Sequence, residues 1–248
     1  MIRAAVESSV YSVVINRPDK RNALTPEMLD AMLAAVRSPP RGARVLLLRG
    51  EGPVFCGGFD LKMCLDKPGT LEALLRGLAE VVVELKRAPV PVVGAAQGAA
   101  IAGGCALLGG CDIVLTNDDA KLGYPVTPLG ISPAVSAPFL RQLVGDGPSR
   151  ERQLDPALIG GRRAVEIGLA HESLATVEAV LPRARAVAEV LASKPPGAMA
   201  ATRAWLREIE DAAGPPRAAA AGLDASLSLV GSKEERERLS VTFNRTSR

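Results

Sequence analysis

The 248-residue chain has one histidine, His171, so a zinc site built on histidines has no partners to draw on. Aromatic residues are only 3% of the chain, too few for stacking the bases of single-stranded nucleic acid. There are four cysteines, Cys56, Cys64, Cys105 and Cys111, and none falls in a C-x-x-C spacing. They read as reduced, buried or half-buried thiols of a cytoplasmic protein. No secretory leader is expected ahead of them, because the opening MIRAAVESSVYSVVIN reads as a strand. The apolar 88–111 region is broken by prolines and glycines, so no membrane span is expected. Excess charge is also missing. Thirty Lys and Arg against 27 Asp and Glu leave +3, and the basic residues are scattered. A small phosphate-bearing ligand fits that balance better than a duplex does.

What is present is globular: 48% hydrophobic and 23% charged residues. The run 9–16 is β-branched and strand-like, and 17–22 is a polar turn. Thr25 offers an N-cap and Pro26 a first helical position. Leu29, Met32, Leu33 and Val36 then predict an amphipathic helix over 26–37. Residues 44–50 predict a buried strand, and 51–61 a glycine-rich turn with a short strand inside it. A helical period runs from Leu71 to about Arg87. Strands are predicted over 88–96 and 112–118, separated by a glycine turn at 97–104 and a helix start at 105–110. Alternation of this kind predicts an α/β fold with a mainly parallel sheet. From about residue 134 the pattern is helical, with one helix over 177–191 and a stop at 194–197. The division expected is a core over 1–195 and a helical region over 196–248.

Two glycine-rich segments carry the chemical signal. One is Phe55-Cys56-Gly57-Gly58-Phe59-Asp60-Leu61, and the other is Gly98-Ala99-Ala100-Ile101-Ala102-Gly103-Gly104-Cys105. Glycine lets backbone N–H groups approach a ligand, and a helix start adds unsatisfied donors. Brought together, two such turns can hold one carbonyl oxygen between two N–H groups. Read separately, each is also an ordinary tight turn at a strand–helix corner. A dinucleotide fingerprint is absent from both, and no G-x-S-x-G supports a serine hydrolase.

Taken in order, the residues resemble the crotonase superfamily, the enoyl-CoA hydratase/isomerase family, over most of the chain. The matching segments are 16–29, 55–61, 97–113, 121–134, 160–173 and 231–248. The resemblance implies a ββα spiral core with a helical C-terminal region that serves oligomerisation and pocket closure, assembled as a homotrimer or dimer of trimers. It implies an acyl-CoA thioester as ligand, with coenzyme A entering as part of the substrate and no separate cofactor or metal. The implied oxyanion donors are the backbone N–H groups of Phe59 and Gly103, flanked by Cys56, Gly58, Asp60 and Gly104 in the substrate site. Ala23 and Leu24 are placed along the pantetheine or adenosine. Arg17, Lys20 and Arg21 are candidates for the CoA phosphates.

The resemblance also exposes departures. The two glutamates of the family's hydratases fall on Ala106 and Val126, and an aspartate position used by some members falls on Ala134. Each acid/base group is typically worth about 10²–10⁴ in rate, so efficient two-glutamate hydration is not expected. Tyr124, Asp66, Glu72, Glu80 and His171 are the other candidates for acid/base work, and a structural or solvated role suits each better. Asp60 reads as an anchor of its turn. Two classes remain: an enzyme working through enolate stabilisation, by isomerisation or by decarboxylation of a malonyl-type thioester, or a degenerate acyl-CoA-binding or assembly subunit. The apolar faces of the C-terminal helices (Trp205, Leu206, Ile209; Leu223, Leu227, Val230; Leu239, Phe243) are expected to be covered by the core or by a neighbouring subunit.

Overall fold

The β-branched runs of the sequence become strands of one sheet, and the 3.6-residue periods become the helices that cover it. The computed structural model describes residues 1–212 and 214–246. In chain order the first half comprises β1 (Ile2–Glu7), β2 (Val10–Ile15), α1 (Pro26–Arg37), β3 (Val45–Gly50), α2 (Leu61–Asp66), α3 (Thr70–Arg87), β4 (Val92–Ala96), β5 (Ala99–Ile101), α4 (Gly103–Leu108), β6 (Ile113–Asn117) and β7 (Lys121–Gly123). Then come α5 (Ala137–Val144), α6 (Asp146–Leu154), α7 (Gly161–Glu166), β8 (Glu172–Leu174), α8 (Val177–Ala192), α9 (Pro196–Ala212), α10 (Pro215–Leu227) and α11 (Lys233–Thr246).

The main sheet has the order β1-β2-β3-β4-β6-β8. It is antiparallel between β1 and β2 and parallel at every other junction. Parallel neighbours need crossover connections, and α1 and α3 supply two of them. Alternation sorts β3 between two cores. Leu46 and Leu48 join the large core with α1 and α3, while Val45 and Leu47 pack with Val180, Ala184 and Ala188 of α8. Burial on both faces explains why β3 reads as a continuous apolar run. The expected N-cap forms: Thr25 Oγ accepts the Met28 N–H at 3.3 Å.

Some expectations are corrected by short elements. The N-terminal run is a hairpin rather than one strand, turned at Ser8 with φ +59°. The 97–104 segment contains β5, which pairs in parallel with β7. The strand expected inside 51–61 is replaced by single bridges, Leu24 to Phe59 and Cys56 to Ala100. A strand, β8, interrupts the region read as purely helical and completes the sheet edge.

The C-terminal helices divide in two. Helices α10 and α11 lie on the core, with Leu239 buried and Leu223, Leu227 and Val230 packed against it. Helix α9 leaves Trp205 62% exposed, with Leu206 and Ile209 beside it at 48% and 49%. The side chain of Phe243 lies outside the described residues. No helix among the described residues is long and apolar enough to cross a membrane.

Candidate functional site

The polar turn 17–24 is held by a residue that sequence reasoning passed over, Asn22. It is fully buried at φ +57°. Its Nδ2 donates to the carbonyls of Glu51 (2.9 Å) and Val54 (2.7 Å), and its Oδ1 accepts the Arg17 N–H at 2.8 Å. An asparagine in a charged turn is the one signal that pointed to it. The turn is then stitched to the first glycine segment. Gly57 N donates to Arg21 O at 2.8 Å, Leu24 N to Gly58 O at 2.8 Å, and Asp60 N to Leu24 O at 2.9 Å.

Arg17 closes the stitch. Its guanidinium donates to Asp60 at 2.7 Å and to Ala23 O at 3.2 Å. Asp60 also caps α2 by accepting the Met63 N–H at 3.2 Å. Burial alone would raise the Asp60 carboxyl, but Arg17 and the Met63 amide hold it below its ordinary value. Asp60 is thus an anchor, as its sequence position suggested. Arg17 is engaged within the protein, whereas Lys20 and Arg21 are exposed to solvent. The Leu24 side chain is fully buried, as is Cys56, whose thiol donates to Asn22 O at 3.3 Å.

The two glycine segments meet edge to edge. Cys56 N donates to Ala99 O at 3.0 Å, and Ile101 N returns to Cys56 O at 3.0 Å. Gly104 is required by this approach, since a Cβ there would lie 2.5 Å from Cys56 O. Ala102 precedes α4 at φ +51°, ψ −112°, a conformation that costs a non-glycine residue about 1–3 kcal/mol. It is held there at both ends. Its N–H donates to Gly123 O at 2.8 Å, and its carbonyl accepts the Ala106 N–H at 2.9 Å.

Around these segments the backbone N–H groups divide into paired and unpaired ones. Those of Gly57, Asp60, Ile101, Ala102 and Ala106 all have acceptors. The N–H groups of Phe59 and Gly103 have none among the described residues, and neither do those of their neighbours Gly58, Gly104 and Cys105. Phe59 and Gly103 line a cavity of about 140 Å³. Leu61, Leu75, Leu78, Ile101, Ala106 and Val126 form much of its apolar wall, and Tyr124, Ser132 and Ser136 supply side-chain hydroxyls. Among the described residues, no charged side chain lines it. The 127–136 wall is braced from behind by α10: Ser226 Oγ accepts the Val135 N–H at 3.2 Å and donates to Ser132 O at 3.1 Å.

The alternative acid/base candidates fall elsewhere or are muted. Glu72 pairs with Arg76 and Glu80 with Arg37 on exposed surface, and Asp66 is exposed. His171 Nδ1 accepts the Val114 N–H at 3.1 Å, away from the cavity lining. Tyr124 does line the cavity. Burial, and then the neighbouring Cys105, push its hydroxyl well above the usual value, so it stays protonated. Burial likewise pushes the Cys56 and Cys105 thiols up to about 12. Ala134 is not part of the lining, whereas Ala106 and Val126 are. No three His, Cys, Asp or Glu side chains among the described residues are gathered as a metal site.

A mainly parallel six-stranded sheet, two glycine segments joined edge to edge and a cavity beside them frame the candidate site. The Enoyl-CoA hydratase/isomerase family matches residues 5–237. The chain belongs to that family. A Bacillus subtilis (strain 168) protein named "Probable enoyl-CoA hydratase" is 30% identical over 205 residues, 80% of this chain and 79% of that protein. The crystal structure of an enoyl-CoA hydratase/isomerase from Xanthobacter autotrophicus Py2 superposes with a TM-score of 0.88 at 26% identity, covering 98% of this chain and 93% of its own. Pseudomonas aeruginosa OdaA superposes with a TM-score of 0.85 at 28% identity, covering 97% of this chain and 98% of its own. The crotonase-like fold expected from the sequence is therefore the fold of this protein.

Proposed function

We propose that this protein binds acyl-CoA thioesters and polarises the thioester carbonyl between the N–H groups of Phe59 and Gly103. The observation that carries the reading is that, of the amides without an acceptor in the two glycine segments, those of Phe59 and Gly103 belong to residues that line the apolar cavity. Donors already in place need no reorganisation when charge develops on the oxygen. The family membership supports the thioester as ligand. Lys20 and Arg21 remain free to meet CoA phosphates, while Arg17 shapes the turn that presents them.

The chemistry is limited by the cavity wall. Ala106 and Val126 stand where the resemblance puts the hydratase glutamates, and both line the cavity. Neither can activate water nor carry a proton. Tyr124, the one ionisable side chain in the lining among the described residues, is held in its protonated form. The site suits stabilisation of an enolate better than addition of water. The same wall favours a second reading, a binding or assembly subunit without turnover. The exposed Trp205, Leu206 and Ile209 of α9 suit burial against another copy, in a homotrimer or a dimer of trimers.

Calorimetry with butyryl-CoA and free CoA tests the binding. The thioester is expected to bind more tightly, because only it offers an oxygen to the two donors. Equal affinity, or none at millimolar concentration, overturns the reading. Incubation with an acyl-CoA panel, followed by mass spectrometry, separates enzyme from binder. Crotonyl-CoA hydration is expected at least about 10⁴-fold below that of a two-glutamate relative.

A further inference from the structure

The second glycine segment carries an alanine at a point where the backbone suits a glycine. We infer that Ala102 is a positioning residue: its methyl group, kept in that conformation, sets the gap between the two glycine segments and so the separation of the Phe59 and Gly103 amides. The inference rests on the acyl-thioester reading above and names what fixes the geometry of that site.

Among the described residues, Ser8, Arg21, Asn22 and Ala102 have positive φ without being glycine. The first three stand in polar turns, and Arg21, at ψ +34°, lies in the small left-handed region open to L-residues. Ala102 is different. At φ +51° and ψ −112° it stands close to the first central position of a type II′ turn, about +60° and −120°, which glycine dominates. Strand β5 ends at Ile101 and α4 begins at Gly103, so Ala102 alone turns one into the other. Its bonds to Gly123 O and from the Ala106 N–H tie it to both sides of that turn. A strained conformation persists where its surroundings over-determine it, and such positions gather at binding sites.

The methyl faces the other segment. A Cβ on Gly58 would lie 3.4 Å from the Ala102 Cβ and 3.0 Å from Ile101 O, so the methyl fills space that a side chain at Gly58 would need. One residue further on, the roles reverse. A Cβ on Gly103 would lie 2.8 Å from Phe59 Cε1, so the Phe59 ring fills the space beside Gly103. The backbone bonds that join the segments, Cys56 N to Ala99 O and Ile101 N to Cys56 O, stop short of this point. Among the described residues, no hydrogen bond links 58–59 to 102–103. Methyl and ring therefore hold the two amides at one separation. A glycine at 102 would leave the ring alone and would free the φ and ψ that aim the Gly103 N–H.

The test compares wild type, Ala102→Gly and Ala102→Ser by thermal unfolding and by calorimetry with butyryl-CoA and free CoA. Alanine to glycine ordinarily lowers stability. Here Ala102→Gly is expected to raise Tm by about 2–4 °C, because the strain is released. Its preference for butyryl-CoA over free CoA is expected to fall at least about threefold, with free CoA bound within about twofold of wild type. Ala102→Ser keeps a Cβ and is expected to keep the preference within about twofold of wild type. A lower Tm for Ala102→Gly, an unchanged preference, or an equal loss of preference in both variants overturns the inference and leaves the thioester reading intact. A wild-type protein that does not prefer butyryl-CoA to free CoA overturns both.

Discussion

Two regions of this molecule are apolar and open to solvent, and they differ in what lies beside them. The cavity lined by Phe59 and Gly103 is concave, and the N–H groups of these two residues have no acceptor among the described residues. The stripe Trp205-Leu206-Ile209 on α9 is convex and spans one helix face with no such donors. Apolar area alone does not separate a ligand site from a protein interface; the polar groups next to it do. In the cavity those groups belong to the main chain. Side-chain substitution cannot easily delete them, whereas acid/base chemistry depends on which side chains line the same wall.

The strongest way to break this contrast is to make the cavity wall ionisable. Ala106→Glu with Val126→Glu is expected to raise crotonyl-CoA hydration by about 10² or more over wild type, measured by loss of the conjugated thioester absorbance. Each single change should recover little, because the two carboxylates act on one water. An equal gain from Ala106→Glu alone would show that the groups do not act as a pair.

The second region depends on a buried anchor. Arg203, on α9, is 5% exposed and donates to Ala88 O at 2.9 Å and Lys86 O at 3.2 Å, and it pairs with Asp112. Asp112 in turn accepts the Val92 N–H at 2.6 Å. One side chain therefore ties α9 to the end of α3 and to the start of β4. Arg203→Ala is expected to cost about 2–4 kcal/mol in urea unfolding, since it leaves carbonyls and a carboxylate without their partner. A loss below about 0.5 kcal/mol would mean that α9 is held mainly by other contacts.

Much of this architecture was legible because long elements repeat their period several times. Helices α1, α3 and α8 display three or more turns of apolar spacing, and β3 is a run no helix of that length would need. Several of the shortest elements were not legible. Strands β5 and β8 have three residues each and α2 has six, too short for a period to stand out. Pairings across the chain were equally hidden. Arg17 meets Asp60 across 43 residues, and nothing in either segment announces it. The spacing of Trp205, Leu206 and Ile209 showed an amphipathic helix but could not say what covers it. The glycine segments were legible as a pair only through the order in which they recur beside the other segments.

If α9's stripe is an interface, charge placed on it should act on assembly and not on the cavity. Trp205→Asp with Ile209→Asp is expected to weaken self-association by at least about tenfold in sedimentation, while acyl-CoA affinity per chain is unchanged. A wild-type protein that sediments as a 25.8 kDa monomer at micromolar concentration would remove the interface reading.

The smallest effect sharpens the cavity side of the contrast, where the turn 17–24 is clamped by charge. Asp60 does two jobs: it caps α2 and it holds Arg17. Asparagine caps a helix about as well as aspartate, so Asp60→Asn isolates the charge. The pair is partly exposed, with the two side chains at 25% and 17%, so its worth is about 0.5–1 kcal/mol. The sign of the pH dependence follows from the direction of the shift. The folded-state carboxyl ionises more readily than the unfolded one. The unfolded chain therefore binds protons first as pH falls, and the clamp's contribution is complete above the ordinary aspartate value of about 4 and is lost below it. Urea unfolding of wild type and Asp60→Asn should thus differ by about 0.5–1 kcal/mol at pH 7 and converge as pH is lowered through 4 towards 3. A difference that persists unchanged across that range would assign the loss to altered packing of the turn rather than to the Arg17–Asp60 charge pair.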